Sequence, residues 1–152
     1  MRTEHGFTMV ELVMVMVLIG VLAAIGVPKL VGDNGYAAAT FGDEVASSLR
    51  SAQKTAVARR RLVCASVGGG AVTLRQAEKP GAAACGIALD AIGAATTASG
   101  VTATSHTLYF QPNGLITASA TGRDTVRGAV VIHLDGEERR RIVFEGSTGY
   151  VQ

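Results

Sequence analysis

The sequence predicts an α+β protein in which a long N-terminal helix, membrane-spanning in its first half and amphipathic in its second, packs on a C-terminal antiparallel β-sheet domain. Three observations support this fold class. An apolar segment near the beginning of the chain is long enough to cross a membrane, a helical pattern of apolar residues follows it, and short β-prone segments occupy the rest. We therefore divide the chain into residues 1–6, 7–27, 28–61 and 62–152.

The apolar segment covers residues 7–27, and Glu11 is its one ionisable residue. Because a helix rises about 1.5 Å per residue, these residues cover about 30 Å, the thickness of the hydrocarbon core of a bilayer. A carboxylate costs about 2.5 to 3.5 kcal/mol at the centre of such a segment and less near its end. Glu11 therefore needs a functional reason and a cationic partner. The alternative is an ordinary single-pass anchor whose Glu11 is protonated or reaches the membrane surface.

Residues 28–61 are predicted to continue the helix as an amphipathic segment. The Gly-Asp-Asn-Gly sequence of residues 32–35 interrupts the pattern first. After it, apolar residues recur at spacings of three and four, which places them on one face of a helix that the sheet would cover. The members of this face are Phe41, Val45, Leu49, Ala52 and Ala56.

The β-prone segments of residues 62–152 predict an antiparallel sheet built from hairpins. Asn113-Gly114 and Asp135-Gly136 are typical of two-residue hairpin turns of the primed types. Residues 91–105, which are rich in Ala, Thr, Ser and Gly, are predicted to form a mobile loop. The predicted strands are residues 62–67, 72–76, 107–111, 115–120, 130–134 and 140–144.

Composition indicates one small globular domain beyond the apolar segment and excludes a polyelectrolyte. About 125 residues lie outside the segment, which suits one domain better than two. The formal net charge is only +2, and aromatic residues make up 5% of the 152-residue chain. Much of the apolar fraction is Ala and Val, so we expect a soluble core with few large side chains.

Five residues at fixed offsets carry a family resemblance: Gly6, Phe7, Glu11, Gly20 and Pro28. Together they resemble the class III signal of type IV pilins and type II secretion pseudopilins. The resemblance implies that a prepilin peptidase, a membrane-embedded aspartyl enzyme, cuts the leader after Gly6 and methylates the new terminal Phe7. It also implies that Gly20 and Pro28 mark breaks in the helix.

The same resemblance gives Glu11 a partner outside its own chain. Cleavage would free the α-amino group of Phe7, whose ordinary pKa of about 7.7 to 8.0 leaves it mostly cationic at neutral pH. In a filament, Glu11 of one subunit would pair with this ammonium of a neighbour, which offsets the cost of both charges in a low-dielectric setting. The implied partners are other pilins or pseudopilins and an inner-membrane assembly platform. The N-terminus would stay in the cytoplasm and the globular domain would lie in the periplasm.

The chain has two cysteines, Cys64 and Cys85, both in the part expected outside the cytoplasm, where thiols are oxidised. We predict a disulfide that closes a loop of about 20 residues and stabilises the domain by about 3 kcal/mol. Two free buried thiols are the alternative. A metal site is less favoured, since neither cysteine has a second Cys or a His at ligand spacing.

The C-terminal half carries a second resemblance. The Phe-Gln-Pro-Asn-Gly sequence of residues 110–114, residues 141–144 and the glycine-containing residues 146–151 look like the GspH/FimT branch of minor pilins and pseudopilins. This implies a low-abundance subunit that primes or caps a type IV pilus or a type II secretion pseudopilus. A major pilin of a related system is the main alternative. Some DNA-binding members of the branch carry Gly-Arg-x-Arg at the C-terminus, whereas residues 149–152 read Gly-Tyr-Val-Gln.

Two arginine triplets, residues 59–61 and 139–141, are the candidates for DNA binding, because each neutralised phosphate releases counterions. Plainer explanations compete. Arginines in the last turn of a helix complement its dipole, and alternate residues of a strand point to opposite faces of a sheet. Structural or subunit-contact roles are therefore favoured over DNA binding. The residues that would contact phosphate are Arg59, Arg60, Arg61, Arg139 and Arg141.

No motif in the sequence indicates catalysis. His106 and His133 lie in or beside β-prone segments, and the sequence has no nucleophile elbow, phosphate loop or metal-ligand spacing. We therefore expect a non-enzymatic filament subunit, with no catalytic residues, metal or cofactor.

Overall fold

The computed structural model describes residues 8–31 and 34–152, and for residues 27–31 it describes the backbone alone. The chain divides into two compact units, Met1–Asp33 and Asn34–Gln152. The first contains helix α1 (Met9–Val31), and the second contains helix α2 (Asn34–Arg59) and the sheet. The α+β fold class is therefore confirmed: the chain has an apolar N-terminal helix and a second helix packed on an antiparallel sheet.

The breaks expected at Gly20 and Pro28 are not observed. Helix α1 is continuous and passes through both residues. A glycine costs a helix about 1 kcal/mol relative to alanine, and a proline removes one backbone donor. In a helix of 23 residues the remaining backbone hydrogen bonds outweigh both effects. Apolar helices that cross membranes commonly contain both residue types.

Helix α2 buries the apolar face that the spacing predicts, and the prediction of an amphipathic helix is confirmed. The interruption before it is shorter than expected, since Asn34 and Gly35 already belong to the helix. Residues 32–33 lie outside the described residues. The residues of the predicted face are each at most 1% exposed: Phe41, Val45, Leu49, Ala52 and Ala56.

Nine strands form one antiparallel sheet in the described part of the second unit. Their bounds are β1 (Val63–Gly69), β2 (Ala71–Ala77), β3 (Cys85–Ala88), β4 (Ala94–Ala95), β5 (Val101–Phe110), β6 (Ile116–Thr117), β7 (Arg127–Leu134), β8 (Glu137–Glu145) and β9 (Tyr150–Val151). In space the order is β3-β2-β1-β5-β7-β8-β9, while β4 pairs with β2 and β6 pairs with β5. Each predicted strand therefore corresponds to one of these nine, whereas β3, β4 and β9 were not among those predicted.

One of the two predicted hairpin turns is confirmed and the other is corrected. Asp135 and Gly136 both have positive φ angles, 52° and 85°, and Leu134 pairs with Glu137, as a two-residue primed turn requires. The turn at residues 112–114 has three residues instead. The N–H of Gly114 donates to the carbonyl of Gln111, and Gly114 alone has a positive φ, because Pro112 favours an ordinary type I turn.

The mobile loop predicted at residues 91–105 is wrong over much of its length. A short 3₁₀ turn (Asp90–Ile92) and strand β4 occupy its first part, and β5 begins at Val101. Val101 and Ala103 are buried and pair with Leu134 and Ile132 of β7. These small and β-branched residues form a strand because they pair with β7. Local composition does not reveal this pairing, since β7 is distant in sequence.

The core lies between α2 and one face of the sheet. Its largest fully buried side chains are Phe41 and Leu49 from the helix and Phe110, Ile116 and Phe144 from the sheet. Most other core residues are Ala or Val, as the composition indicated.

Candidate functional site

The N-terminal end of α1 places Glu11 in the first helical turn. The hydroxyl of Thr8 accepts a hydrogen bond from the N–H of Glu11 at 3.3 Å, and the carbonyl of Thr8 accepts one from Leu12 at 3.2 Å. Thr8 is therefore the N-cap, at the Thr-x-x-Glu spacing of a capping box, a signal that was missed in the sequence. The expected processing residues Gly6 and Phe7 lie outside the described residues.

The Glu11 side chain is exposed, and none of the ion pairs in the described part of the chain includes it. A carboxylate in the first turn gains about 0.3 to 1 kcal/mol from the helix dipole. The Glu11 carboxylate therefore lies where it stabilises the N-terminal end of α1, and its exposed side chain is accessible to a cation from another chain.

Helix α1 exposes apolar side chains around its whole circumference. Residues Met9–Gly26 are long and apolar enough to cross a membrane, and among the described helices no other passes that test. The side chains of residues 8–25 are exposed. A helix that is apolar on all sides needs lipid or protein around it, and this one fits a membrane-anchored protein.

The first arginine triplet lies at the C-terminal end of α2 and closes the helix. Arg60 has a φ of 52°, its N–H donates to the carbonyl of Val57 at 3.3 Å, and the N–H of Arg61 donates to Ala56 at 3.1 Å. This is a Schellman motif with arginine where glycine is usual. A left-handed non-glycine residue costs about 1 to 2 kcal/mol.

The charges of this triplet have no carboxylate partner among the ion pairs of the described residues. Arg59 donates from Nη1 to Oε1 of Gln76 at 2.8 Å, which orients its guanidinium without neutralising it. Gln76 is 1% exposed, and its Nε2 has no hydrogen-bond partner in the described chain. Arg59 and Arg60 are exposed and Arg61 is half-buried.

The second triplet, in β8, is paired throughout. Arg139 lies 3.2 Å from Glu137, and Arg141 makes two contacts of 2.8 and 3.0 Å with Glu138. Arg140 crosses to the helix and lies 2.7 Å from Asp43. These arginines therefore have structural partners that compete with any phosphate.

The two triplets lie at different levels along α2, because Arg140 contacts Asp43 in the first half of the helix, whereas the other triplet begins at Arg59, the last helical residue. About 24 Å of helix separates Asp43 from Arg59 at 1.5 Å per residue. The sequence candidates for phosphate binding therefore belong to two separate surfaces.

A glycine junction brings together the two motifs of the C-terminal resemblance. A Cβ added to Gly149, whose φ is 69°, would collide with the carbonyl of Gly114 and the amide of Gln53. A Cβ added to Gly146 would collide with the backbone of Ile116, which donates to the Gly146 carbonyl at 2.9 Å. The hairpin and the C-terminal turn thus touch through backbone atoms. This close approach explains Gly146 and Gly149, whereas Gly114 is explained by its positive φ of 89°.

Cys64 and Cys85, which are 21 positions apart in sequence, form a disulfide with Cα atoms 6.1 Å apart, so the predicted pairing is confirmed. The bridge joins β1 to β3 across the end of β2. Arg75 of β2 donates to the carbonyls of Cys85 at 3.1 Å and Gly86 at 2.6 Å. Edge strand β3 is therefore tied to the sheet by a covalent bond and by a guanidinium.

His106 packs edge-on against the ring of Phe144, with centroids 5.5 Å apart. Phe144 in turn covers Gly128 of β7, where an added Cβ would lie 2.8 Å from its ring. His106 thus has a packing role. Within the described residues no group of three His, Cys, Asp or Glu side chains is arranged to hold a metal ion.

Comparison with protein families gives two matches. The profile of the prokaryotic N-terminal methylation motif matches residues 1–27. The profile described as type II transport protein GspH matches residues 42–148. Both describe structural pilin-type proteins and not enzymes. Comparisons with curated proteins and with solved structures gave no match.

Proposed function

Because the chain belongs to the GspH family of type II transport proteins, we propose that it is a minor subunit that primes or caps a type II secretion pseudopilus or a type IV pilus. The observation that carries the proposal is helix α1, an exposed apolar helix in a chain that also bears a methylation motif at residues 1–27. Such a helix provides a membrane anchor before assembly and a packing surface within a fibre.

The proposed pathway begins with the precursor in a bacterial inner membrane, its N-terminus cytoplasmic and residues 34–152 in the periplasm. A prepilin peptidase cuts after Gly6 and methylates Phe7. The assembly platform then moves α1 from lipid into contact with the helices of other subunits. The residue division proposed is a leader at 1–6, a span at 7–27, a helical continuation at 28–61 and a globular domain at 62–152.

In this proposal Glu11 sets the register between neighbouring subunits by pairing with the methylated ammonium of Phe7. Its exposure and its lack of an ion-pair partner in the described chain support this role. Thr8 supports it too, because a capped first turn holds the backbone of Glu11 in a defined orientation. The pair would contribute more to register than to affinity, since both charges lose hydration.

Processing is tested by the mass of the protein purified from a host with an active prepilin peptidase. We expect loss of residues 1–6 and one added methyl group. Gly6→Val should retain the leader because a bulky side chain then occupies the cleavage position, whereas Thr3→Val in the leader is the matched control and should be processed. Retention of the leader by the unmodified chain would refute the proposal.

Assembly is tested separately with Glu11→Ala and Glu11→Asp. Both variants should insert into the membrane and be cleaved, but only Glu11→Asp should keep measurable incorporation into sheared fibres. Normal incorporation of Glu11→Ala would remove the proposed role of the carboxylate while leaving the anchor and the processing intact.

The main alternative is a major pilin of a related system. The composition of sheared fibres distinguishes the two: a minor subunit should be scarce in the fibre, and its deletion should abolish fibre formation. A subunit that dominates the fibre would favour the major pilin.

A DNA-binding minor pilin is favoured by one observation: among the described residues, no carboxylate pairs with Arg59, Arg60 or Arg61. Residues 149–152, in the position of the arginine motif of DNA-binding relatives, contain no arginine. A gel shift of the full chain in detergent at low salt tests this alternative, and no retardation would exclude it.

A further inference from the structure

A groove of about 490 Å³ begins beside the first arginine triplet, residues 59–61, which has no carboxylate partner among the ion pairs of the described residues. Its wall includes Leu62, which follows Arg61 directly, and Arg123. Residues 81–83 form a second part of the lining and residues 111–113 a third. The volume falls within the range of about 300 to 1,000 Å³ that is usual for ligand-binding pockets.

The lining of the groove is aliphatic and polar, with one charged side chain. Pro112 and Leu115 provide apolar surface, Gln111 and Asn113 provide polar groups, and Arg123 provides positive charge. The lining contains no aromatic residue and no carboxylate. Single-stranded nucleic acid binds mainly by stacking bases on aromatic side chains, so this groove suits it poorly.

Two features indicate that Arg59 and Arg60, which precede the groove residue Leu62, bind a partner. Arg60 holds the left-handed cap position, where glycine would relieve backbone strain, and retained strain of this kind is typical of functional sites. Arg59 is held by Gln76 at 2.8 Å, so less side-chain entropy remains to be lost when it binds a carboxylate.

We propose that this groove, together with Arg59, Arg60, Arg61 and Arg123, is a docking site for an extended acidic peptide segment of another protein. Aliphatic side chains of the segment pack on Pro112 and Leu115, and its carboxylates pair with the guanidinium groups. The choice of an acidic peptide follows from charge complementarity, since a guanidinium group can form a bidentate pair of hydrogen bonds with a carboxylate.

The test uses the full chain in detergent micelles and a fluorescent peptide of alternating Glu and Leu, measured by anisotropy. A peptide with Gln in place of Glu is the first control, and a single-stranded oligonucleotide of similar charge is the second. We expect the Glu peptide to bind about tenfold more tightly than the Gln peptide and its affinity to fall with salt. Equal affinities, no binding, or tighter binding of the oligonucleotide would overturn the proposal.

Matched variants locate the site. Arg60→Asn combined with Arg61→Gln should weaken the Glu peptide about fivefold to tenfold, and Asn tolerates the left-handed cap position. Arg139→Gln combined with Arg141→Gln removes the same formal charge from the paired triplet and should leave the affinity unchanged. An equal loss in both double variants would mean attraction to net charge and not to this groove.

The groove itself is tested through Ala83, an exposed lining residue. Ala83→Glu should repel the acidic peptide, whereas Ala88→Glu, an exposed position on β3 that does not line the groove, should have little effect. If the two variants behave alike, the peptide does not occupy the groove and the proposal fails.

Discussion

Helices α1 and α2 have similar lengths, 23 and 26 residues, but they differ in what covers their apolar side chains. Helix α2 buries nine residues against the sheet of its own unit. The described side chains of α1 over residues 8–25 are exposed. Hydrophobic burial therefore stabilises the second unit through α2, while the apolar surface of α1 remains available to lipid and to other subunits.

The difference is already present in the residue patterns. Apolar residues form a stripe on α2, with Asp43, Arg50 and Lys54 outside it, whereas residues Met9–Gly26 of α1 are apolar on all sides apart from Glu11. A helix with apolar residues on one face can bury them against other elements of the same chain. A helix that is apolar all round needs surroundings that a chain of this size does not supply.

The largest expected effect separates the two helices directly. Phe41→Ala removes a ring that is 1% exposed in α2 and should lower the free energy of unfolding of the second unit by about 3 to 5 kcal/mol. Leu18→Ala removes a side chain that is 59% exposed in α1 and should leave that free energy unchanged. Denaturation of the full chain in detergent, followed by circular dichroism, measures both.

Similar losses in the two variants would break the comparison, because α1 would then contribute to folding of the second unit. A loss near zero for Phe41→Ala would mean that the contacts between helix and sheet do not limit stability.

The second prediction concerns the Cys64–Cys85 disulfide, which stabilises the second unit in addition to its hydrophobic core. Cys64→Ser combined with Cys85→Ser should cost about 2 to 4 kcal/mol, because the unfolded chain gains the entropy of an open loop. Melting of the double variant and of the unmodified chain is compared with and without reductant. An unchanged melting temperature in the absence of reductant would contradict a stabilising role for the bridge.

Much of the fold was predictable where the deciding signal lies in nearby residues, such as the spacing of apolar residues or a turn dipeptide. The buried face of α2 follows from steps of three and four, and the turn at Asp135-Gly136 follows from two residues that tolerate positive φ. The disulfide followed from the expected compartment and from the presence of only two cysteines.

The errors occur where the deciding contact is distant in sequence. Val101 and Ala103 become strand because β7 covers them, and Pro112 changes the register of the turn that Asn113-Gly114 was expected to form. For the candidate site, the sequence contains two similar arginine triplets. The fold distinguishes them, because the charges of one triplet are paired with carboxylates and those of the other have no such partner in the described part of the chain.

The third prediction is a small stabilisation at the end of α2. Arg60→Gly should raise the free energy of unfolding by about 1 kcal/mol, because glycine adopts the left-handed cap with less strain, although it loses more entropy on folding. Gly20→Ala in α1, where an added Cβ meets nothing within 4 Å, is the matched control and should leave the unfolding of the second unit unchanged. A loss of stability in Arg60→Gly would mean that the Arg60 side chain contributes more than its backbone costs.

The smallest expected effect compares two carboxylates, Glu145 in β8 and Glu11 in α1. A hydrogen bond from the Ser147 hydroxyl at 3.0 Å, and next a hydrogen bond from Arg127, lower the pKa of Glu145 below its ordinary value. A carboxyl group whose pKa is lowered by folding stabilises the native state when it is ionised. Its contribution is therefore present at neutral pH and is lost as the pH falls through the pKa of the folded state.

Glu145→Gln should accordingly lower the midpoint of denaturation at neutral pH, and the difference from the unmodified chain should shrink as the pH falls below about 4.3, the ordinary pKa of a glutamate. Glu11→Gln should leave the denaturation of the second unit unchanged over the same range, since none of the described ion pairs includes Glu11. A constant difference for Glu145→Gln at every pH would assign its effect to packing. A pH-dependent effect of Glu11→Gln would show that α1 is coupled to the folding of the second unit, against the division of roles between the two helices.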